Sequence, residues 1–198
     1  MKKFFIHTKH KGFTLIELMV SVGIFAVIMV MSLGALLSIS TADRKSETIE
    51  SVMNNLNFAV ESMSRTIRTG YDYHCGTYTG GDCGTGGSPG GTFFKFTAQD
   101  GTPTIYRFDT SSLCGQTGTT VGCIERSTDG GTTYLPLTSP EVIITNLTFY
   151  LRGSALGETG DNTQADVVIT VNGYVQISPT QTSPFNLQTS VTQRLYDR

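Results

Sequence analysis

The sequence has no tryptophan, only three histidines and few charged residues, which make up 15% of its 198 positions. It contains neither the H-E-x-x-H motif of zinc proteases nor the G-x-x-x-x-G-K loop that binds nucleotide phosphates. Two of the three histidines, His7 and His10, lie within the first twelve residues. We find no catalytic constellation and predict a protein that is not an enzyme and has no catalytic residues, metal site or cofactor.

Positive charge is scarce beyond the N-terminus. Residues 1–12 hold four lysines and no acidic residue, and beyond them ten basic residues face sixteen acidic ones, for a net charge near −6. A general nucleic-acid-binding protein needs a basic face. The charge balance therefore argues against nucleic acid as a partner of this protein.

The four cysteines, Cys75, Cys83, Cys114 and Cys123, lie well beyond the N-terminal region. The sequence has no C-x-x-C, and His74 is the only nearby histidine, so disulfides are favoured over the alternative of a zinc site. An even number of cysteines suits an oxidising compartment outside the cytoplasm. Of the three pairings that four cysteines allow, we predict the local one, Cys75–Cys83 with Cys114–Cys123.

The longest apolar run covers residues 13–39 and contains one charged side chain, Glu17. As a helix it would span roughly 40 Å, more than the ~30 Å hydrocarbon core of a bilayer. It is too long for the apolar region of a cleaved secretory signal, and no small-residue cleavage site follows it closely. Because lysines precede it, we predict a single-pass anchor in the cytoplasmic membrane, with its N-terminus inside and the C-terminal domain outside.

After Ser40 the apolar residues recur every three or four positions, as on one face of a helix. They are Ile49, Val52, Met53, Leu56, Val60, Met63 and Ile67. Gly23 and Gly34 are the only helix breakers between residues 13 and 68, so we predict one continuous helix over 13–69 that stops at Gly70. We expect its apolar stripe to pack against the chain's own globular domain. A coiled-coil partner is the alternative, but the stripe is short for several heptads.

Strand signals dominate beyond the Gly-rich segment 70–92, which we predict to be a loop. The predicted strands cover residues 92–98, 104–109, 123–126, 134–137, 142–151, 165–171 and 185–195. We therefore predict an α+β fold, in which a long N-terminal helix packs on a C-terminal antiparallel β-sheet domain. The parts are a leader (1–12), a transmembrane helix (13–40), its amphipathic continuation (41–69) and a β-rich extracytoplasmic domain (70–198).

One short segment resembles the processing motif of type IV prepilins and pseudopilins: Lys11-Gly12-Phe13-Thr14-Leu15-Ile16-Glu17, between the basic leader and the apolar helix. These proteins are the subunits of type IV pili and of the filaments of type II secretion and competence systems. The resemblance implies a pilin-like fold and cleavage between Gly12 and Phe13 on the cytoplasmic side. The enzyme would be a membrane-embedded prepilin peptidase, which would also N-methylate Phe13.

The resemblance also implies roles for Gly12 and Glu17. Gly12 would be required because the peptidase must approach the backbone closely, which a side chain would obstruct. In the family, the carboxylate at the position of Glu17 pairs during assembly with the N-terminal amine of a neighbouring subunit. Such a pair would offset the desolvation of both charges. The alternative is that Glu17, less than two turns from the start of the apolar run, reaches the lipid headgroups.

The globular part resembles larger minor pseudopilins, notably the J-type subunit of type II secretion, at residues 64–68, 104–108 and 187–194. The implied function is that of a minor pilin or pseudopilin. Its partners would be the prepilin peptidase, other subunits, the inner-membrane assembly platform and membrane lipid. The alternatives are a major pilin of an adhesive or motility fibre and a competence pseudopilin for DNA uptake. The protein would lie in the inner membrane and then enter a filament in the periplasm or at the cell surface.

Overall fold

The computed structural model describes residues 12–76, 81–84, 89–110, 114, 121–154, 163–178 and 181–194, so the leader residues 1–11 lie outside it. Within these ranges the chain forms one helix, α1 (Leu15–Arg68), followed by eight strands. The strands are β1 (Tyr71–Cys75), β2 (Phe93–Thr97), β3 (Pro103–Asp109), β4 (Cys123–Ser127), β5 (Leu135–Pro136), β6 (Val142–Arg152), β7 (Asp166–Ser178) and β8 (Gln181–Thr192). The chain divides into two compact units, Met1–Ser46 and Glu47–Arg198.

The first unit carries the apolar part of α1. Every described residue in it is exposed, and its large apolar side chains leave 53–82% of their surface uncovered. The helix is long and apolar enough to cross a membrane. Because water-soluble proteins do not leave an apolar surface of this extent uncovered, lipid or other chains must cover it.

The second unit contains the amphipathic part of α1. Its buried apolar side chains, Val52, Leu56, Ala59, Val60, Met63 and Ile67, belong to the same core as those of the strands. Ile49 and Met53 are half-buried. The helix therefore packs on the chain's own sheets, which confirms the α+β fold.

The strands of the second unit form two antiparallel sheets, one of five strands in the order β1-β2-β3-β4-β5 and one of three in the order β6-β7-β8. Phe94 and Phe149 stack across the sheets with ring centroids 5.2 Å apart, and Phe96 lies 5.9 Å from Tyr106. All four rings are fully buried. These rings therefore form the centre of the domain, and burial of each large side chain contributes about 1.5–3 kcal/mol to its stability.

The prediction of a loop over 70–92 was wrong at its start, because Tyr71–Cys75 is strand β1, paired with β2. Tyr73 is buried, and its hydroxyl lies 2.7 and 2.6 Å from the carbonyl oxygens of Ile67 and Gly70, to which it donates. This contact fixes the strand to the end of α1. The glycines and the polar residues around the segment hid a strand of only five residues.

Gly70 follows the end of α1, as predicted, but for a different reason. Its φ is not positive, so it does not provide the left-handed residue that commonly ends a helix. A Cβ at this position would instead lie 2.5 Å from Cδ2 of the buried Phe96. Glycine is required here because the turn after α1 passes directly over an aromatic ring.

The last two strands are longer than predicted. β7 and β8 pair from Asp166 with Thr192 to Ser178 with Gln181, whereas the predicted strands stopped at 171 and resumed at 185. Gly173 and Pro184 account for the difference, because both residues usually weaken or end a strand. Pro184 is tolerated because β8 is the outer strand of its sheet.

The turn after β4 depends on one carboxylate. Asp129 accepts hydrogen bonds from the backbone nitrogens of Thr133 and Thr132, each 3.0 Å away, and from the Ser127 hydroxyl at 2.7 Å. These bonds, led by the one from the Thr133 backbone, hold the pKa of Asp129 well below its usual range. The carboxylate therefore stabilises the turn in its charged form.

Because the turn depends on the charged form of Asp129, we expect the folded protein to lose stability in acid. A depressed folded pKa stabilises the fold fully above the unfolded value of about 3.9, and this stabilisation is lost as the pH falls toward the folded pKa. We expect Asp129→Asn to flatten the acid side of a plot of Tm against pH, with Glu141→Gln, at an exposed position, as the control. If Asp129→Asn kept the parent's acid slope, the turn would not contribute in this way.

Candidate functional site

Thr14 caps the start of α1. Its hydroxyl accepts a hydrogen bond from the backbone nitrogen of Glu17 (3.3 Å), and its carbonyl oxygen accepts one from the nitrogen of Leu18 (3.2 Å). Thr14-x-x-Glu17 therefore has the sequence and position of a capping box, with Glu17 in the first helical turn. A carboxylate there is also favoured by the helix dipole. This local role was missed in the sequence, although the Thr-x-x-Glu spacing indicates it.

Gly12 and Phe13 precede the helix. Phe13 is 82% exposed, and a Cβ placed on Gly12 would meet nothing within 4 Å. The bond between them is therefore outside the hydrogen-bonded helix and is not covered by the described parts of the chain. Such a bond can enter a protease active site without unwinding a helix.

Glu17 is the only ionisable side chain in the apolar part of α1. The next charged residue along the helix is Asp43. Two serine hydroxyls of this part are satisfied locally, since Ser21 donates to the Glu17 carbonyl oxygen (2.7 Å) and Ser32 to that of Ile28 (2.8 Å). The apolar part of α1, before Asp43, contains no cation to pair with the Glu17 carboxylate, and in an apolar environment its partner must come from outside this part of the helix.

The cysteines form two disulfides, Cys75–Cys83 and Cys114–Cys123, each with a Cα–Cα distance of 5.8 Å. Both links are local in sequence. Among the described residues no group of three or more His, Cys, Asp or Glu side chains is placed to hold a metal ion. The cysteines therefore act structurally, by closing loops of the β domain.

A buried ion pair in the β domain is structural as well. Arg107 on β3 donates from Nε and Nη2 to one oxygen of Glu125 on β4, both at 2.8 Å, and Glu125 is fully buried. The Tyr134 ring lies 3.5 Å from the guanidinium carbon of Arg107 and covers the pair. The two residues are neighbours because of the β3–β4 register. Their ion pair links the two strands and does not create a reactive centre.

Comparison with known proteins agrees with the geometry at the N-terminus. Residues 7–33 match the prokaryotic N-terminal methylation motif, and this range includes Gly12, Phe13 and Glu17. No curated protein and no solved structure gives a significant match to the chain. The motif implies a prepilin peptidase and other pilin subunits as partners, and it points to a membrane-anchored structural subunit and not to an enzyme. By this motif, and by a membrane-length helix that continues onto antiparallel sheets, the chain is similar to type IV prepilins and pseudopilins.

Proposed function

We propose that this chain is a minor pilin or pseudopilin, which is cut between Gly12 and Phe13 and assembled through α1 into a pilus-like or type II secretion filament. One observation carries the proposal. The apolar part of α1 is exposed along its whole length, begins two residues beyond Phe13, and has a single carboxylate, that of Glu17, in its first turn. Such a helix requires both an apolar environment and a cation from another chain.

Cleavage would supply that cation. The new N-terminus at Phe13 is an amine, and N-methylation leaves its positive charge in place. Within one chain the amine lies just before the capped helix start, whereas the Glu17 side chain projects from the first turn. The amine of one subunit and the carboxylate of a neighbour would pair in an environment of low dielectric constant. A subunit in the wrong register would leave both charges buried and unpaired, which is costly.

The leader would control this step. While residues 1–12 remain attached, the nitrogen of Phe13 is part of a peptide bond and carries no charge. The uncut subunit would therefore wait in the inner membrane, with its lysines on the cytoplasmic side and its β domain outside. Two disulfides in the β domain suit that oxidising side. We propose the inner-membrane assembly platform as the partner that receives the cut subunit.

The processing step is tested by Gly12→Val. A branched side chain at this position should obstruct the close approach of the peptidase, so we expect precursor to accumulate in the membrane fraction and the subunit to be missing from sheared filaments. The matched control is Gly23→Val, since Gly23 also has nothing within 4 Å of an added Cβ. Normal processing of the Gly12 variant would count against the proposed cleavage site.

The minor role is supported by the resemblance of residues 64–68, 104–108 and 187–194 to larger minor pseudopilins. Its test is the amount of this chain in sheared filaments relative to the principal subunit. We expect a small fraction, and a dominant band would instead assign it as a major pilin. A deletion strain with reduced transformation would favour a competence role, which the acidic charge balance disfavours.

A further inference from the structure

A polar groove lies on the outer face of the three-stranded sheet. The cavity has a volume of about 670 Å³ and is lined by Gly84, Tyr150, Arg152, Asp166, Val168, Thr170 and Gln188. The residues that alternate with these along the strands, such as Leu151, Val167 and Ile169, are buried in the core. The groove lies wholly in the unit Glu47–Arg198, and none of its residues takes part in the N-terminal site.

The Tyr150 ring is held in place by the backbone of the neighbouring loop. A Cβ at Gly84 would overlap this ring, and one at Gly90 would lie 2.9 Å from its Cε1. The ring nevertheless keeps 36% of its surface exposed. It therefore presents a fixed apolar surface, with little conformational entropy left to lose when a ligand binds.

The loop beside Tyr150 is itself attached firmly to β6. Cys83 and Leu151 exchange two backbone hydrogen bonds of 3.0 Å, and Gly91 and Phe149 exchange bonds of 2.9 and 2.7 Å. The Asp82 carboxylate accepts bonds from the backbone nitrogens at the end of β6, Gly153 and Ser154, at 3.1 and 2.8 Å. The disulfide from Cys83 to Cys75 adds a covalent link. One wall of the groove is thus built before any ligand arrives.

Apart from Val168, the remaining lining side chains are hydrogen-bond donors or acceptors. Arg152 faces Asp166 across β6 and β7, and Thr170 faces Gln188 across β7 and β8. Among the described residues Arg152 makes no ion pair, and Asp166 accepts one bond, from the Thr192 hydroxyl at 3.3 Å. Guanidinium, carboxylate and amide groups together offer both donors and acceptors. Their charges cancel, so the groove favours neither an anion nor a cation.

The backbone of the groove floor is not open to a ligand. Val168 and Thr170 belong to β7, the central strand, which pairs with β6 on one side and β8 on the other. An extended peptide that binds by adding a strand needs a free sheet edge. A ligand in this groove must instead be recognised by side chains alone.

We propose that this groove binds a neutral saccharide. The apolar C–H face of a pyranose ring would lie against Tyr150. Its hydroxyls would bond to the side chains of Arg152, Asp166 and Gln188, which supply the donors and acceptors that a polyhydroxylated ligand needs. The cavity has the volume of an ordinary small-molecule site, enough for a short oligosaccharide. The subunit would thereby add glycan recognition to its part in a filament.

The test is binding of the full-length protein to an array of neutral oligosaccharides, in a detergent without a sugar headgroup, followed by calorimetry on the best probe. We expect Tyr150→Ala to weaken binding about tenfold or more, because contact with an aromatic ring contributes roughly that factor. Tyr150→Phe, which keeps the ring, should bind nearly as the parent does. The matched control is Tyr71→Ala, because Tyr71 is an exposed tyrosine on β1, outside the groove.

Three results would overturn the proposal. One is an array on which no neutral oligosaccharide binds. Another is saccharide binding that Tyr150→Ala leaves unchanged while the variant keeps the Tm of the parent. The third is binding in the groove of an extended peptide in place of any saccharide. If Tyr150→Ala lowers the Tm, Gln188→Ala, at an exposed position on β8, replaces it with the same expected direction.

Discussion

Replacing Glu17 with Gln will remove the subunit from filaments as completely as replacing it with Ala. Breaking a buried ion pair by removing one partner costs about 3–5 kcal/mol, so we expect at least a tenfold loss of this chain from sheared filaments in both variants. In the proposed pairing, either change would leave the Phe13 amine of a neighbouring subunit without its counter-charge. The measurement is an immunoblot of sheared filaments against the membrane fraction.

The comparison of Gln with Ala separates two roles of Glu17. The Thr14 hydroxyl caps the backbone nitrogen of Glu17, in the Thr-x-x-Glu pattern of a capping box, and Gln serves in a capping box as Glu does. If Glu17 acted only on the start of the helix, the Gln variant would assemble at the level of the parent, and that result would remove the proposed charge pair. Thr14→Ala is the matched control, because it removes the cap, at a cost of about 1 kcal/mol, and keeps the carboxylate.

Replacing Leu56 with Ala will destabilise the β domain by about 2–5 kcal/mol, as large-to-small changes in a core do. Leu56 is fully buried between the amphipathic part of α1 and the sheets. The measurement is denaturant unfolding of the full-length protein in detergent, followed by the tyrosine signal, because the chain has no tryptophan.

The same helix offers the control for this prediction. Phe58 lies two residues further on and is 73% exposed, so Phe58→Ala should change the free energy of unfolding by no more than about 0.5 kcal/mol. An equal loss of unfolding free energy in the two variants would mean that the face of α1 containing Leu56 is not the one that packs against the sheets. A larger loss for Phe58→Ala would mean that the buried face had been assigned to the wrong side of the helix.

The helix was predictable because its signals are long and regular. A 27-residue apolar run and a stripe repeated every three or four residues leave little choice of structure. Strands β2 and β6, which contain neither Gly nor Pro, were also predictable. Where glycine or proline lies inside a strand, as with Gly173 and Pro184, local signals contradict the structure that tertiary pairing stabilises.

The N-terminal site was visible in the sequence because its residues are adjacent along the chain. Gly12, Phe13 and Glu17 lie within one short segment, and the methylation motif matches the range that contains them. The groove around Tyr150 was not visible, because its residues come from three strands and from the segment after Cys83. Only the register of β6, β7 and β8 brings Arg152 to Asp166 and Thr170 to Gln188.

The central claim is that cleavage creates the charge with which Glu17 pairs, and the intact mass of the mature protein tests it most directly. The protein should be purified from cells that contain a prepilin peptidase, and its N-terminal peptide should be sequenced by mass spectrometry. We predict a chain that lacks residues 1–12, begins at Phe13 and carries one methyl group on its N-terminal amine. A chain that keeps its leader, or one that begins at any other residue, would contradict the claim.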